Sequence, residues 1–219
     1  MIISWLGQAC ITIKNKEGKV LVIDPYDSSI GIAMPAISAD AVLVTHSHHD
    51  HNNVQSVGGK PFIIQEQGEY EAGGFFVETV ASFHDDKEGK ERGTNLIFIV
   101  SVDGYRVAHF GDFGQRELTP AQLEALGQID IACIPVGGFY TIDGAGAAKL
   151  VHQFEPKIAI PIHYQIPGLA VKELASPEAF FGSLGMQAET GKDLWNVKAT
   201  DFPQEGTQVI QLKPLYAKI

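Results

Sequence analysis

The segment Thr45 to His51, THSHHDH, sets four histidines and an aspartate almost side by side. Imidazole and carboxylate together are ligands for divalent transition metals. In an extended segment, residues two apart project to the same side, so His46 and His48 can grip one cation together. Asp50 and His51 follow, and a turn of the backbone there would point their side chains across to a second cation. A structural zinc site is closed by four Cys or His ligands, whereas this mixture needs partners from elsewhere in the chain, as open catalytic sites do. Such partners are available. His84 in VETVASFHDD, Asp112 in VAHFGDFG and His163 in KIAIPIHY each follow an apolar run. The plain alternative is a solvated histidine-rich turn, and the spacing and the distant partners argue against it.

The motif follows the run Asp40-Ala-Val-Leu-Val, so it sits where a buried strand ends, and loops at strand ends are where α/β proteins place chemistry. The first half alternates short apolar runs with turn residues: IISWL, ACITIK, VLVID, AVLVTH, FIIQ, FFVETV and NLIFIV read as strands. Lys16-Glu17-Gly18 and Asp103-Gly104 separate such runs, and Asp-Gly supplies the positive φ that a tight hairpin demands. In the second half, Thr119-Pro120 before AQLEAL predicts a capped helix, IDIACIPV a buried strand, and Asp143 to Phe154 a helix. KIAIPI returns as a strand, SPEAFFGSL as another capped helix, and TQVIQL as the last strand. Strand-rich halves carrying helices predict sheets covered on one face by helices, a layered α/β sandwich. No linker, low-complexity tract or fixed-period repeat interrupts residues 1–219, which read as a single domain. The two similar halves are compatible with a distant duplication.

With 219 residues and 45% hydrophobic content, the chain can bury a full core. Its 26 acidic side chains outnumber its 16 basic ones, a net charge of −10, and the arginines are only Arg92, Arg106 and Arg116. A nucleic-acid partner needs clustered Lys and Arg, so none is expected. Cys10 and Cys133 are the only cysteines, too few for a disulfide framework or a four-cysteine zinc site, and the cytoplasm is the expected compartment. The N-terminal stretch lacks a basic leader and a small-residue cleavage site. No window reaches the roughly eighteen apolar residues of a membrane helix, so no membrane role is expected.

Taken in order, His46-x-His48-x-Asp50-His51, then His84, Asp112 and His163, the pattern resembles the metallo-β-lactamase superfamily. Asp24, in VLVIDPY, matches that family's early aspartate. The strings GQAC, RGTN, HFGD, VGGFYTID and PIHY are similar to bacterial metal-dependent hydrolases nearest the L-ascorbate-6-phosphate lactonase-like branch. The resemblance implies an α/β fold, a four-layer αββα sandwich with two metals at one sheet edge. It implies that His46, His48 and His84 hold the first metal, that Asp50, His51 and His163 hold the second, and that Asp112 bridges them. Zinc is the default ion, and mixed nitrogen and oxygen ligation also accepts manganese or iron. Asp24 would orient ligands by hydrogen bonding without binding an ion itself.

Alone, His84 and His163 would read as ordinary surface or core histidines and Asp112 as a turn cap; only their place in the set gives them a metal role. His49 is expected to face away, His109 to be structural, and His152 to lie on a helix surface. Tyr140 to Asp143 could line the pocket, cap the next helix through Asp143, or both. The Gly144-x-Gly146 pair falls inside a helix and lacks a third glycine, so it is no nucleotide loop. Lys90, Arg92 and Arg116 lie near His84 or Asp112 and could recognise an anion, but surface solvation is the favoured reading.

Two divalent ions, Asp50, Asp112 and a bridging hydroxide leave a pocket of about +1, which favours anions. A dinuclear metal-dependent hydrolase is therefore expected, in which the bridging hydroxide, oriented by Asp50, attacks a small ester, lactone, amide or phosphoester. Tyr164 is one candidate for the leaving-group acid. A nuclease or phosphodiesterase would share the motif but need basic segments that this chain lacks. A redox or sensing module is disfavoured, because redox members carry glutamate where this chain has His48. The expected partner is a small, anionic molecule, and a homo-oligomer is compatible with the sequence.

Overall fold

The computed structural model describes residues 1–218. The first half forms β1 (Ile2–Gly7), β2 (Cys10–Lys14), β3 (Val20–Ile23), β4 (Ile32–Ala33), β5 (Ile37–Leu43), β6 (Val57–Ile64), β7 (Glu69–Ala72), β8 (Phe75–Phe83), β9 (Thr94–Val102) and β10 (Tyr105–His109). The second half adds α1 (Pro120–Leu126), β11 (Ile131–Pro135), α2 (Gly144–Phe154), β12 (Ile158–Ile162), α3 (Glu178–Leu184), β13 (Glu189–Lys192), β14 (Trp195–Asn196), β15 (Gln208–Leu212) and β16 (Ala217–Lys218).

Two mixed sheets dominate, with strand orders β14-β1-β2-β3-β5-β6 and β13-β15-β12-β11-β10-β9-β8-β7. Each opens on an antiparallel meander, β1-β2-β3 in one and β8-β9-β10 in the other, and continues in parallel strands, β5 and β6 or β11 and β12. The two sheets share this plan, although both meanders lie in the first half of the chain and all three α-helices in the second. In each meander the first and third strands run the same way as the parallel strands beyond them. The C-terminal ends of β1, β3 and β5 therefore lie on one edge of their sheet, and those of β8, β10, β11 and β12 on one edge of the other.

Local chemistry explains the elements. The residues of β11 (IACIP) and β12 (IAIPI) are all buried, as expected of central parallel strands covered on both faces. The β9–β10 hairpin closes through Asp103 and Gly104, both at positive φ, the geometry of a two-residue turn. Thr119 and Gln122 form a reciprocal capping box on α1, with Pro120 in its first turn, and Asp143 caps α2 by accepting from the Gly146 amide.

The sheets and the α1 and α2 boundaries match the sequence reading, and the mixed α/β architecture is the one expected. Two details differ. α3 has no side-chain cap, because Pro177 and not Ser176 occupies the N-cap position. TQVIQL does not close the chain, since β16 follows it and pairs with β4. The short strands β4, β7, β13 and β14 lack a readable apolar period. All three α-helices follow β10; ahead of it the described residues form only 3-10 turns at 28–30 and 54–56. No helix among the described residues is long and apolar enough to cross a membrane.

Candidate metal centre

The strand ends converge on one cluster. His46 to His51 follow β5, His84 follows β8, Asp112 lies three residues past β10, and His163 follows β12. Placing ligands outside the carboxyl ends of parallel strands is the general habit of α/β proteins. Ligand atoms of His46, His48 and His84 lie within 4.8 Å of one another, as do those of His46, His51 and Asp112, and those of Asp50, His51 and His163. Each trio could hold a metal ion.

Asp112 stands between them. Its Oδ2 is 3.0 Å from His84 Nε2 and 3.9 Å from His46 Nε2, while its Oδ1 is 3.2 Å from His51 Nε2 and 3.3 Å from His163 Nε2. The Asp112 backbone is held by the Asn95 side chain, whose Oδ1 accepts from the Asp112 amide at 3.0 Å and whose Nδ2 donates to Ser82 Oγ and Phe110 O. Gly111, at φ +52, admits this packing: a Cβ there would stand 2.5 Å from Asn95 Oδ1 and 2.7 Å from Thr45 Cβ. Likewise a Cβ on Gly137 would meet the His163 carbonyl oxygen at 2.3 Å.

The imidazoles are oriented from behind. Asp24 accepts from the Thr45 amide and from Thr45 Oγ1, both at 2.8 Å, and its Oδ2 lies 2.9 Å from His51 Nδ1. His51 therefore donates through Nδ1, which leaves Nε2 as the bare lone pair facing Asp112. Because the single hydroxyl proton of Thr45 goes to Asp24, the 2.9 Å contact between Thr45 Oγ1 and His46 Nδ1 has the imidazole as donor. The Nε2 of His46 is thereby also left bare. His46 Nε2, His51 Nε2 and Asp112 Oδ1 are buried atoms with no hydrogen-bond partner. Orphaned buried lone pairs facing one another are costly in a protein interior unless a cation receives them, so the donor set fits a metal.

Electrostatics point the same way. Burial opposes charging His51, but Asp112, Asp24 and Asp50 outweigh it and raise the imidazole well above its ordinary value. Three carboxylates around one buried ring thus call for positive charge, met by a proton on Nε2 in the metal-free protein or by a cation in its place. Burial, helped by His51, lowers His46 to about 3, so it stays neutral. Burial raises the carboxyl pKa of Asp112, yet His163 and His51 drive it well below the usual range.

A cavity of about 330 Å³ opens onto the cluster, lined among others by His48, Asp50, His84, Asp112, Arg92 and Tyr140. Arg92 sits there because Asp85 organises its loop, accepting from the amides of Lys87, Gly89, Glu91 and Arg92 at 2.8 to 2.9 Å. Its guanidinium donates to Phe139 O at 3.3 Å and lies 5.9 Å from the centre of the Tyr140 ring.

Other residues fall where expected, with three corrections. Asp24 hydrogen-bonds His51 and Thr45 from behind the cluster. His109 is buried, with Nε2 on Ala9 O at 2.8 Å and Nδ1 accepting from the Gly111 amide, a structural tie between the sheets. His152 is exposed on α2, and Tyr140 lines the cavity while Asp143 caps α2. The first correction is Arg92, which borders the cavity, whereas Arg116 pairs with Asp86 and Lys90 with Glu88 on the surface. The second is His49, which stays out of the cluster but lines the cavity mouth. The third is Tyr164, which is buried against Trp5 with its hydroxyl accepting from Gln211, and which burial pushes up to about 12. It does not line the cavity and is no leaving-group acid. Gln8, Asn95 and Asp85 carry weight here that their residue types alone did not signal.

Two sheets that bring histidines and aspartates to one edge around a shared carboxylate define a metallo-β-lactamase type of protein. The family model for the beta-lactamase superfamily domain matches residues 2–163, and the chain belongs to that superfamily. Among curated relatives, a UPF0173 metal-dependent hydrolase from Thermoplasma acidophilum is 30% identical over 214 residues, covering 84% of this chain and 92% of its own. A candidate Zn-dependent hydrolase of the metallo-beta-lactamase superfamily from Thermotoga maritima is 31% identical with a TM-score of 0.78, covering 96% of this chain and 97% of its own. The structure of Igni18, a metallo hydrolase from Ignicoccus hospitalis, is 18% identical with a TM-score of 0.66, covering 90% of this chain and 99% of its own, and it shares the fold.

Proposed function

We propose that this chain is a dinuclear metal-dependent hydrolase of a small anionic ester, lactone, amide or phosphoester. The observation that carries the reading is the divided carboxylate of Asp112, one oxygen toward His84 and the other toward His51 and His163. His46, His48 and His84 would hold one ion, Asp50, His51 and His163 the other, and Asp112 would span both. Zinc fits the nitrogen-rich first trio, and manganese or iron is compatible with the second. Ions in these positions supply Lewis acidity and bring the deprotonation of water near neutral pH.

The side chains do the rest. Burial raises the Asp50 carboxyl, but His51 outweighs it and holds the group below its ordinary range, so Asp50 orients the attacking water as an acceptor and does not carry its proton. Arg92, held over Tyr140 at the cavity wall, offers guanidinium N–H groups to a carboxylate or phosphate. The 330 Å³ volume suits a small metabolite and not a polymer strand, and the −10 net charge disfavours nucleic acid. Similarity of the GQAC, RGTN and PIHY strings to the L-ascorbate-6-phosphate lactonase-like branch makes a phosphorylated lactone one member of this substrate class. Two free, buried cysteines agree with a reducing, cytoplasmic setting.

The test is metal analysis of reconstituted protein, followed by turnover of a panel of esters, lactones and phosphodiesters. Two equivalents of metal and turnover of an anionic member are expected. One equivalent or fewer, or turnover of neutral substrates only, overturns the reading.

A further inference from the structure

Gln8 stands outside the seven-residue set, yet its side chain reaches into the second trio. It follows β1 at a φ of 50° and is 1% exposed, a left-handed conformation uncommon for a residue with a side chain. Its backbone is fixed there, the carbonyl accepting from Trp5 Nε1 and from the His163 amide, each at 2.9 Å. Its carboxamide Nε2 donates to Asp50 Oδ2 at 2.9 Å and lies 2.9 Å from His163 Nε2, while Oε1 is buried without a partner. A half-turn of the amide exchanges its oxygen and nitrogen at nearly constant shape.

Those separations are informative. Ligands at right angles around an ion with bonds of about 2.1 Å stand about 3.0 Å apart, and tetrahedral ligands about 3.4 Å. Around the second trio, Asp112 Oδ1 is 3.2 and 3.3 Å from the His51 and His163 nitrogens, and Asp50 Oδ2 is 3.5 Å from His51 Nε2. The carboxamide end of Gln8 falls in the same shell of distances.

We propose that Gln8 is a ligand of the second ion through its carboxamide oxygen, an inference that rests on the dinuclear reading above. His51, His163, Asp50, Asp112 and Gln8 then offer two nitrogen and three oxygen donors. Five donors exceed the four of tetrahedral zinc and suit an ion that accepts six mixed ligands. The first position, with three imidazoles and one Asp112 oxygen, keeps four. The two positions therefore differ in coordination number.

Cobalt(II) titration of metal-free protein tests this, because visible absorption of cobalt is weak in six-coordinate sites and strong in four-coordinate ones. Wild type is expected to take two equivalents, one strongly and one weakly absorbing. Gln8→Asn tolerates the same backbone but falls one methylene short; it should bind the weakly absorbing equivalent at least tenfold less tightly and leave the other unchanged. Gln8→Glu should retain both. If Gln8→Asn takes both equivalents like wild type, the ligand role is overturned while the dinuclear reading stands. If Gln8→Glu loses the second equivalent as Gln8→Asn does, Gln8 is an amide donor to Asp50 and no ligand. A wild type that takes a single equivalent overturns the dinuclear reading, and the role of Gln8 with it.

Discussion

The carboxylate of Asp24 meets Nδ1 of His51 at 2.9 Å, and this contact decides which nitrogen of the ring faces Asp112. Asp24 accepts three hydrogen bonds in all, two of them from Thr45. An amide at this position has one acceptor oxygen and cannot serve all three. Asp24→Asn should weaken metal binding by about 10- to 100-fold and destabilise the fold by about 1–3 kcal/mol. Calorimetric metal titration and urea unfolding of the same preparation separate the two effects.

His48 is the exposed member of its trio, so its removal leaves the core intact. His48→Ala should lose the ion held with His46 and His84 and abolish turnover, with stability of the metal-free protein within about 0.5 kcal/mol of wild type. Metal content by mass spectrometry, beside a denaturation curve, checks this. Retained turnover would remove His48 from the centre.

Asp85 gives a pH-dependent prediction. Burial raises its carboxyl, but the Arg92, Lys87, Glu91 and Gly89 amides outweigh burial and bring it down to about 2. A carboxyl near 4 in the unfolded chain and about 2 in the folded one stabilises fully above pH 4, and the contribution fades as pH falls through 2. Asp85→Asn should cost about 1.5–3 kcal/mol at pH 7. In metal-free protein the gap between variant and wild type should narrow from pH 4 to pH 2, followed by urea unfolding across that range.

Arg92 is expected to act in binding and not in chemistry, since it lines the cavity without touching the cluster. Arg92→Ala should raise KM for an anionic substrate about 10- to 100-fold, the equivalent of one hydrogen bond to a charged group, with kcat changed far less. A fall in kcat at unchanged KM would assign it a different role.

The metal motif was legible because its spacing is local: His46 and His48 do meet, although the segment bends past the end of β5 and is not the extended strand that alternation assumes. His84, Asp112 and His163 were legible through the apolar runs before them, which mark strand ends. Arg92 was not, because its place depends on Asp85 tying a loop together through backbone amides, and the sequence alone showed only a charged segment. Tyr164 misled because burial, which removes it from the cavity, leaves no mark on a Tyr after a histidine. Gln8 was visible as part of GQAC, but its reach to Asp50 and His163 requires β1 and β12 to end side by side in space. The strands β7, β13 and β14 owe their form to neighbours on the sheet and carry no period of their own.

The strand ends that supply the cluster belong to both sheets, so neither sheet alone owns a finished cage. A complete cage exists only where the two sheets meet, and an ion held there would latch them together.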